Sequence, residues 1–222
     1  ELYSKKAINS IRKTFETATR WIFALTVPIL IAFMLYSVRI LSLVFGSAYA
    51  QASIPLTILT VGYFFTTFFG LAEHGLRTFH KTKFLGVWST ISFLMNIPLN
   101  IFLIPQYGII GAAIATTITL LVVNLVKFIY FKKILKFELN KKIYAKYITS
   151  ALISFLIVFS IVKLTGLDDT FYFIFAMVLY FIIYAFTLIL LKSFTEEDIE
   201  VLGSIERKTG FKFTFIKNLA KK

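Results

Sequence analysis

The sequence predicts an all-α fold: a polytopic membrane bundle of six transmembrane helices. Three observations carry this. First, 58% of the residues are hydrophobic and the mean hydropathy is +0.82, whereas a soluble domain is roughly 45–50% apolar. Second, the apolar residues fall in runs of about 20, long enough to cross roughly 30 Å of hydrocarbon as helix, without the period-two alternation of barrel strands. Third, the Lys and Arg residues lie almost wholly between those runs. The 26 Phe residues fit the same solvent, because their side chains leave no polar group unpaired in lipid.

In chain order, residues 1–20 form a cytoplasmic amphipathic segment. Over 4–20, Ala7, Ile8, Ile11, Phe15 and Ala18 share one helix face and Lys or Arg fill the rest, so the segment is expected to lie on the membrane surface. A transmembrane region, 21–192, follows, with spans at about 21–44, 53–72, 84–104, 109–131, 146–164 and 171–191. The last part, 193–222, is a basic cytoplasmic tail. It opens with Thr195 three residues before Asp198, a capping-box spacing. Residue 1 is Glu and the first apolar span begins near Trp21, so no signal peptide is in view and the chain is expected to start inside a longer protein.

Charge placement predicts orientation. Of the 24 basic residues, 22 fall before the first span, in the second-to-third loop, in the fourth-to-fifth connection from Lys127 to Lys146, or in the tail from Lys192. Of the opposite connections, FGSAYAQA and PQYG carry no charge, and the fifth-to-sixth has Lys163 against Asp168 and Asp169. The positive-inside rule then puts both termini in the cytoplasm, which needs an even number of spans and agrees with six. The net charge of +13 therefore reports topology, not a nucleic-acid partner. With no cysteine there is no disulfide framework and no thiolate metal site.

The most informative stretch is NIPLNIFLIPQYGIIGAAIATT, 96–117. Asn96 and Asn100 are four apart and share a face, and Pro98 between them removes a backbone hydrogen bond and favours a kink. Interhelical bonding is the favoured reading of these amides, substrate contact the alternative. Pro105 and Gly108 bracket an uncharged four-residue turn that forces adjacent antiparallel helices. In the next helix, Gly111 and Ala115 have the small-xxx-small spacing that lets a neighbouring backbone approach.

Arg39 reads as the one charge well inside a span and as the best single site candidate, since an intramembrane charge costs several kcal/mol, about 2.5–3.5 on insertion scales. Snorkelling toward the headgroups is its structural alternative. His74, Arg77, His80, Lys81 and Lys83 form a basic group that could gather lipid phosphates, though positive-inside topology alone explains most of it. No Asp or Glu is expected in mid-membrane, Glu73 being placed at a helix end. No catalytic or metal-ligand spacing appears, which argues against an enzyme and implies no cofactor.

These residues resemble the C-terminal half of polysaccharide-export flippases in the multidrug, oligosaccharidyl-lipid and polysaccharide exporter superfamily. The span with Pro28 ends in FGSAYAQASIPLTIL, 45–59, where Gly46 and Tyr49 match the family's phenylalanine-glycine-x-x-tyrosine turn. Arg77 to Lys83 occupies the place of its short basic loop, and Asn96, Asn100, Pro105, Gly108, Gly111, Ala112, Ala113 and Ala115 stand in the family's positions.

The resemblance, strongest over 45–133, implies one lobe of a two-lobed transporter, with the N-terminal lobe of the same protein as partner. It further implies alternating access of a polyprenyl-diphosphate-linked oligosaccharide through a cationic cavity, with membrane lipids around the lobe. Two other functions are weighed: a drug or metabolite exporter of the same superfamily, which would usually bring acidic coupling residues, and a non-transporting membrane subunit that anchors a glycan-assembly complex through its basic tail.

Overall fold

The computed structural model describes residues 2–165 and 170–193, together with Thr195 and Asp198. Its helices are α1 (Leu2–Phe45), α2 (Ser53–Thr78), α3 (Thr82–Tyr107), α4 (Ile109–Leu135), α5 (Lys141–Thr165) and α6 (Thr170–Leu190), with a short 3-10 helix at Ser47–Ala52. All six α-helices are long and apolar enough to cross a membrane. The predicted spans are recovered in number and order, and the helices that contain them run longer than the apolar runs.

The largest difference is at the start. Residues 4–20 do not form a separate element: they are the opening turns of α1, a 44-residue helix. At 1.5 Å per residue such a helix is about 66 Å long, roughly twice the hydrocarbon thickness. The amphipathic pattern reported a change of surroundings along one helix, not a break between two. Of the expected stripe, Phe15 is buried while Ile8 and Ile11 are exposed.

The break in α1 comes later. Tyr36 has non-helical backbone angles, φ −115° and ψ 21°, and divides the helix eight residues after Pro28, which is buried inside it.

The chain separates into two compact units, residues 1–139 and 140–222. In the first, α4 packs along α2 and α3, and α1 packs along α2. One end of this unit holds Gly46 and Gly108. Both have positive φ, 97° and 57°, a backbone region that is costly for residues with a Cβ.

The expected four-residue turn contracts to Gly108 alone, because α3 runs unbroken across Pro98 and Pro105 to Tyr107. The opposite end holds the α2–α3 turn and an aromatic core of Phe15, Phe128, Phe131 and Phe137 with Ala72, Leu76, Leu85 and Leu135. Phe15 meets Phe131 and Phe137 with ring centroids 4.8 and 4.6 Å apart.

In the second unit, α5 and α6 face each other with residues three and four apart: Tyr147, Ser150, Ala151, Ser154 and Val158 on one, Phe173, Ala176, Tyr180, Tyr184 and Thr187 on the other, all buried. Ser154 Oγ and Thr187 Oγ1 share a hydrogen bond of 3.1 Å. The Thr195–Asp198 capping pair also forms, the Asp198 carboxylate accepting from the Thr195 amide at 2.8 Å and from its hydroxyl at 2.9 Å.

Candidate functional site

Arg39 sits on the short piece of α1 beyond the Tyr36 bend and is half-buried. Tyr36, one turn earlier, is close enough to feel its charge. Two residues further on, Leu41 lines a recess of about 330 Å³ at the Gly46–Gly108 end, with Pro55, Leu59, Ala112, Ala113 and Thr116 among its walls. A second groove, about 300 Å³, runs along α1 and α2 past Thr26, Phe33, Thr60, Tyr63 and Thr67. It is apolar despite its threonines, because the hydroxyls of Thr26, Thr60 and Thr67 donate to the carbonyls of Ile22, Leu56 and Tyr63 in their own helices.

The amide and hydroxyl residues form a stitched seam. Asn100 Nδ2 donates to Asn96 Oδ1 at 2.8 Å and to Asn96 O at 2.9 Å, and Asn96 Nδ2 reaches across to Thr119 Oγ1 of α4 at 3.3 Å. On the other flank of α4, Thr117 Oγ1 donates to Ile58 O of α2 at 3.0 Å, and Asn124 Nδ2 to Thr66 Oγ1 at 3.2 Å. Gly62 lets Thr117 in, since a Cβ there would stand 2.9 Å from Thr117 Oγ1. Gly111 is backed by the carbonyl of Leu103, which occupies the space a Cβ would need. The geometry thus favours the packing reading of Asn96, Asn100, Gly111 and Ala115.

At the opposite end the structure reveals a charge cluster that composition and spacing did not. Lys127, counted from the sequence as part of the fourth-to-fifth connection, lies within α4 and is buried. Its Nζ is 2.9 Å from Glu73 Oε2, and Arg77 Nη2 is 2.7 Å from Glu73 Oε1. Arg39 is therefore not the one charge within a span, and Glu73 is not a plain helix-end acid: it joins α2 to α4. A Lys four residues inside the span predicted for 109–131 was the available signal, and its partner 54 residues away was not visible to local spacing.

The remaining basic candidates, His74, Arg77, His80, Lys81 and Lys83, are all exposed. They share the end of the unit opposite Gly46 and Gly108, whereas Arg39 lies seven residues before Gly46, so the sequence-derived candidates do not form one cluster. Among the described residues no group of three or more His, Asp or Glu is placed to hold a metal ion.

This arrangement of helices has known counterparts. Residues 1–102 match the MatE family model. The chain is also similar to a "Probable low-salt glycan biosynthesis flippase Agl15" of Haloferax volcanii, 30% identical over 95 residues, or 43% of this chain and 20% of that protein. An uncharacterized membrane protein of Methanocaldococcus jannaschii is 27% identical over 143 residues, 64% of this chain and 28% of the relative.

Among solved structures, "Lipid II flippase MurJ, inward closed conformation" superposes with a TM-score of 0.66 over 81% of this chain and 39% of its own, at 22% identity. The chain thus spans less than a third of the length of the Haloferax and Methanocaldococcus proteins and 39% of the MurJ chain. The resemblance to exporter-superfamily flippases is borne out, the family match covering the 45–59 motif and the first seven residues of 96–117, as is the membrane helix bundle.

Proposed function

We propose that this chain is one lobe of a flippase that moves a lipid-linked oligosaccharide precursor across the cytoplasmic membrane for surface polysaccharide synthesis, working with an N-terminal lobe of the same protein. The observation that carries this reading is the fold it shares with a lipid II flippase over 81% of the chain. The MatE match and the similarity to a glycan-biosynthesis flippase support it. Both termini are assigned to the cytoplasmic side, because 21 of the 24 basic residues lie toward the chain ends and alternate connections, with buried Lys127 on the same side, whereas the other connections hold no basic residue except Lys163, which Asp168 and Asp169 offset.

Within this reading Arg39 meets the diphosphate of the lipid carrier. It is the intramembrane cation of α1, it is half-buried, and it stands just beyond the bend in that helix. A guanidinium suits the role because its donor fork matches phosphate oxygens in pairs.

The test is Arg39→Ala in the full-length protein. Loss of a charged hydrogen bond worth roughly 1.5–3 kcal/mol is expected to lower lipid-linked oligosaccharide export about tenfold or more at unchanged membrane abundance, with Arg39→Lys retaining part of it. Export intact in Arg39→Ala means the arginine only anchors α1 at the headgroups.

A further inference from the structure

We infer that the α2–α3 turn is a preorganised binding site for the phosphate headgroup of an anionic phospholipid, formed by Arg77, Lys81 and Lys83 and braced from beneath by the Glu73–Lys127 pair. This goes beyond the flippase reading and does not depend on transport.

Four observations converge. Arg77 is 62% exposed yet not loosely held: Glu73 fixes its guanidinium at 2.7 Å, and buried Lys127 fixes Glu73 in turn at 2.9 Å. The cluster of one acid and two bases keeps a net positive charge, and its outward member is the arginine. The turn that follows is closed by its own backbone. The His80 amide donates to Arg77 O at 3.0 Å and the Lys81 amide to Leu76 O at 2.9 Å, with His80 in the left-handed region at φ 55°. That places Lys81 at the end of the closed turn after Arg77 and Lys83 in the first turn of α3, both exposed.

The segment is also pinned to α4: Phe79 packs on Phe131 with centroids 6.1 Å apart, and Phe84 stacks on Tyr130 at 4.2 Å. Finally, the segment joins two spans, and Trp88 of α3, a residue type enriched at membrane interfaces, has its ring 6.2 Å from that of Phe84. Diffuse positive charge attracts an anionic leaflet wherever it is. A braced guanidinium, with Lys81 closing the turn and Lys83 opening α3 just after it, offers instead a held donor fork beside two further cations, which suits a phosphate headgroup.

The experiment titrates the purified full-length protein, in a neutral detergent, with phosphatidylglycerol, phosphatidylcholine or inorganic pyrophosphate, reading the thermal unfolding midpoint. Phosphatidylglycerol is expected to raise the midpoint saturably and the other two to leave it unchanged. Arg77→Gln is exposed and leaves the Glu73–Lys127 pair in place. It should unfold like wild type without lipid and bind phosphatidylglycerol about tenfold more weakly.

The deciding variant is Glu73→Gln combined with Lys127→Met, which removes the brace at constant net charge and is expected to bind severalfold more weakly. Wild-type affinity in that double variant, or in Arg77→Gln, reduces the site to diffuse attraction and overturns the inference. An equal shift with pyrophosphate overturns the choice of a lipid. If the double variant does not fold, Arg77→Gln alone decides.

Discussion

The two ends of the packing of α4 against α2 and α3 are built on opposite plans. Toward Gly108, contact is made by removing side chains: Gly62 of α2 admits Thr117, Gly111 lies against Leu103 of α3, and the cross-helix bonds from Thr117 and Asn96 join neutral groups. Toward the α2–α3 turn, contact is made by adding them: Phe128 and Phe131 fill the space and a Glu73–Lys127 ion pair crosses it. Both ends even place a glycine where no Cβ fits, but Gly75 faces the Phe131 ring whereas Gly111 faces backbone. The difference teaches that helices can be held in an apolar solvent either by backbone proximity, which tolerates no insertion, or by large groups that can re-pack.

Breaking the charged end should have the largest effect. Glu73→Gln leaves Lys127 buried without its counter-charge and is expected to cost roughly 3 kcal/mol, the lower part of the range for breaking a buried pair, since Glu73 is partly exposed. Adding Lys127→Met to it should recover most of that loss. Thermal unfolding in detergent measures both, and equal stability of the single and double variants would refute the buried-pair account.

Next in size is the paired test of the two glycines. Gly111→Ala should cost about 2–3 kcal/mol because the Leu103 carbonyl cannot rotate away, and Gly75→Ala about 1 kcal/mol because the Phe131 ring can shift. The same unfolding assay gives the order of the two, and a reversed order would show that the aromatic end is the stiffer one. The smallest effect belongs to Asn96→Ala, which removes the α3–α4 bond to Thr119. A loss of roughly 0.6–1.7 kcal/mol is expected.

Much of this architecture is legible in the residues themselves. Apolar runs of about 20 residues set the six helices, because lipid admits few other ways to satisfy a backbone. Asn96, Asn100 and Gly111 disclosed the packing seam through spacing along single helices. What spacing hides is continuity and distance. The change from charged to apolar residues near Trp21 looks like a boundary, yet helix hydrogen bonds are indifferent to the solvent outside, so α1 passes through it. Pro105 looks like part of a turn, yet α3 includes it and runs on to Tyr107. Glu73 and Lys127 carry no local signature of their partnership, because only the fold brings α2 and α4 together there.

The joint at Gly108 has a mechanical consequence. With a single residue between α3 and α4, and about 3.8 Å between consecutive Cα atoms, the facing helix ends cannot separate by more than about 8 Å whatever the rest of the lobe does. The pair can scissor about that point but cannot slide along each other. A hairpin pinned in this way behaves as a lever with its fulcrum at the glycine, so any relative displacement of the two helices must grow with distance from it and be greatest beside Lys83 and Leu135.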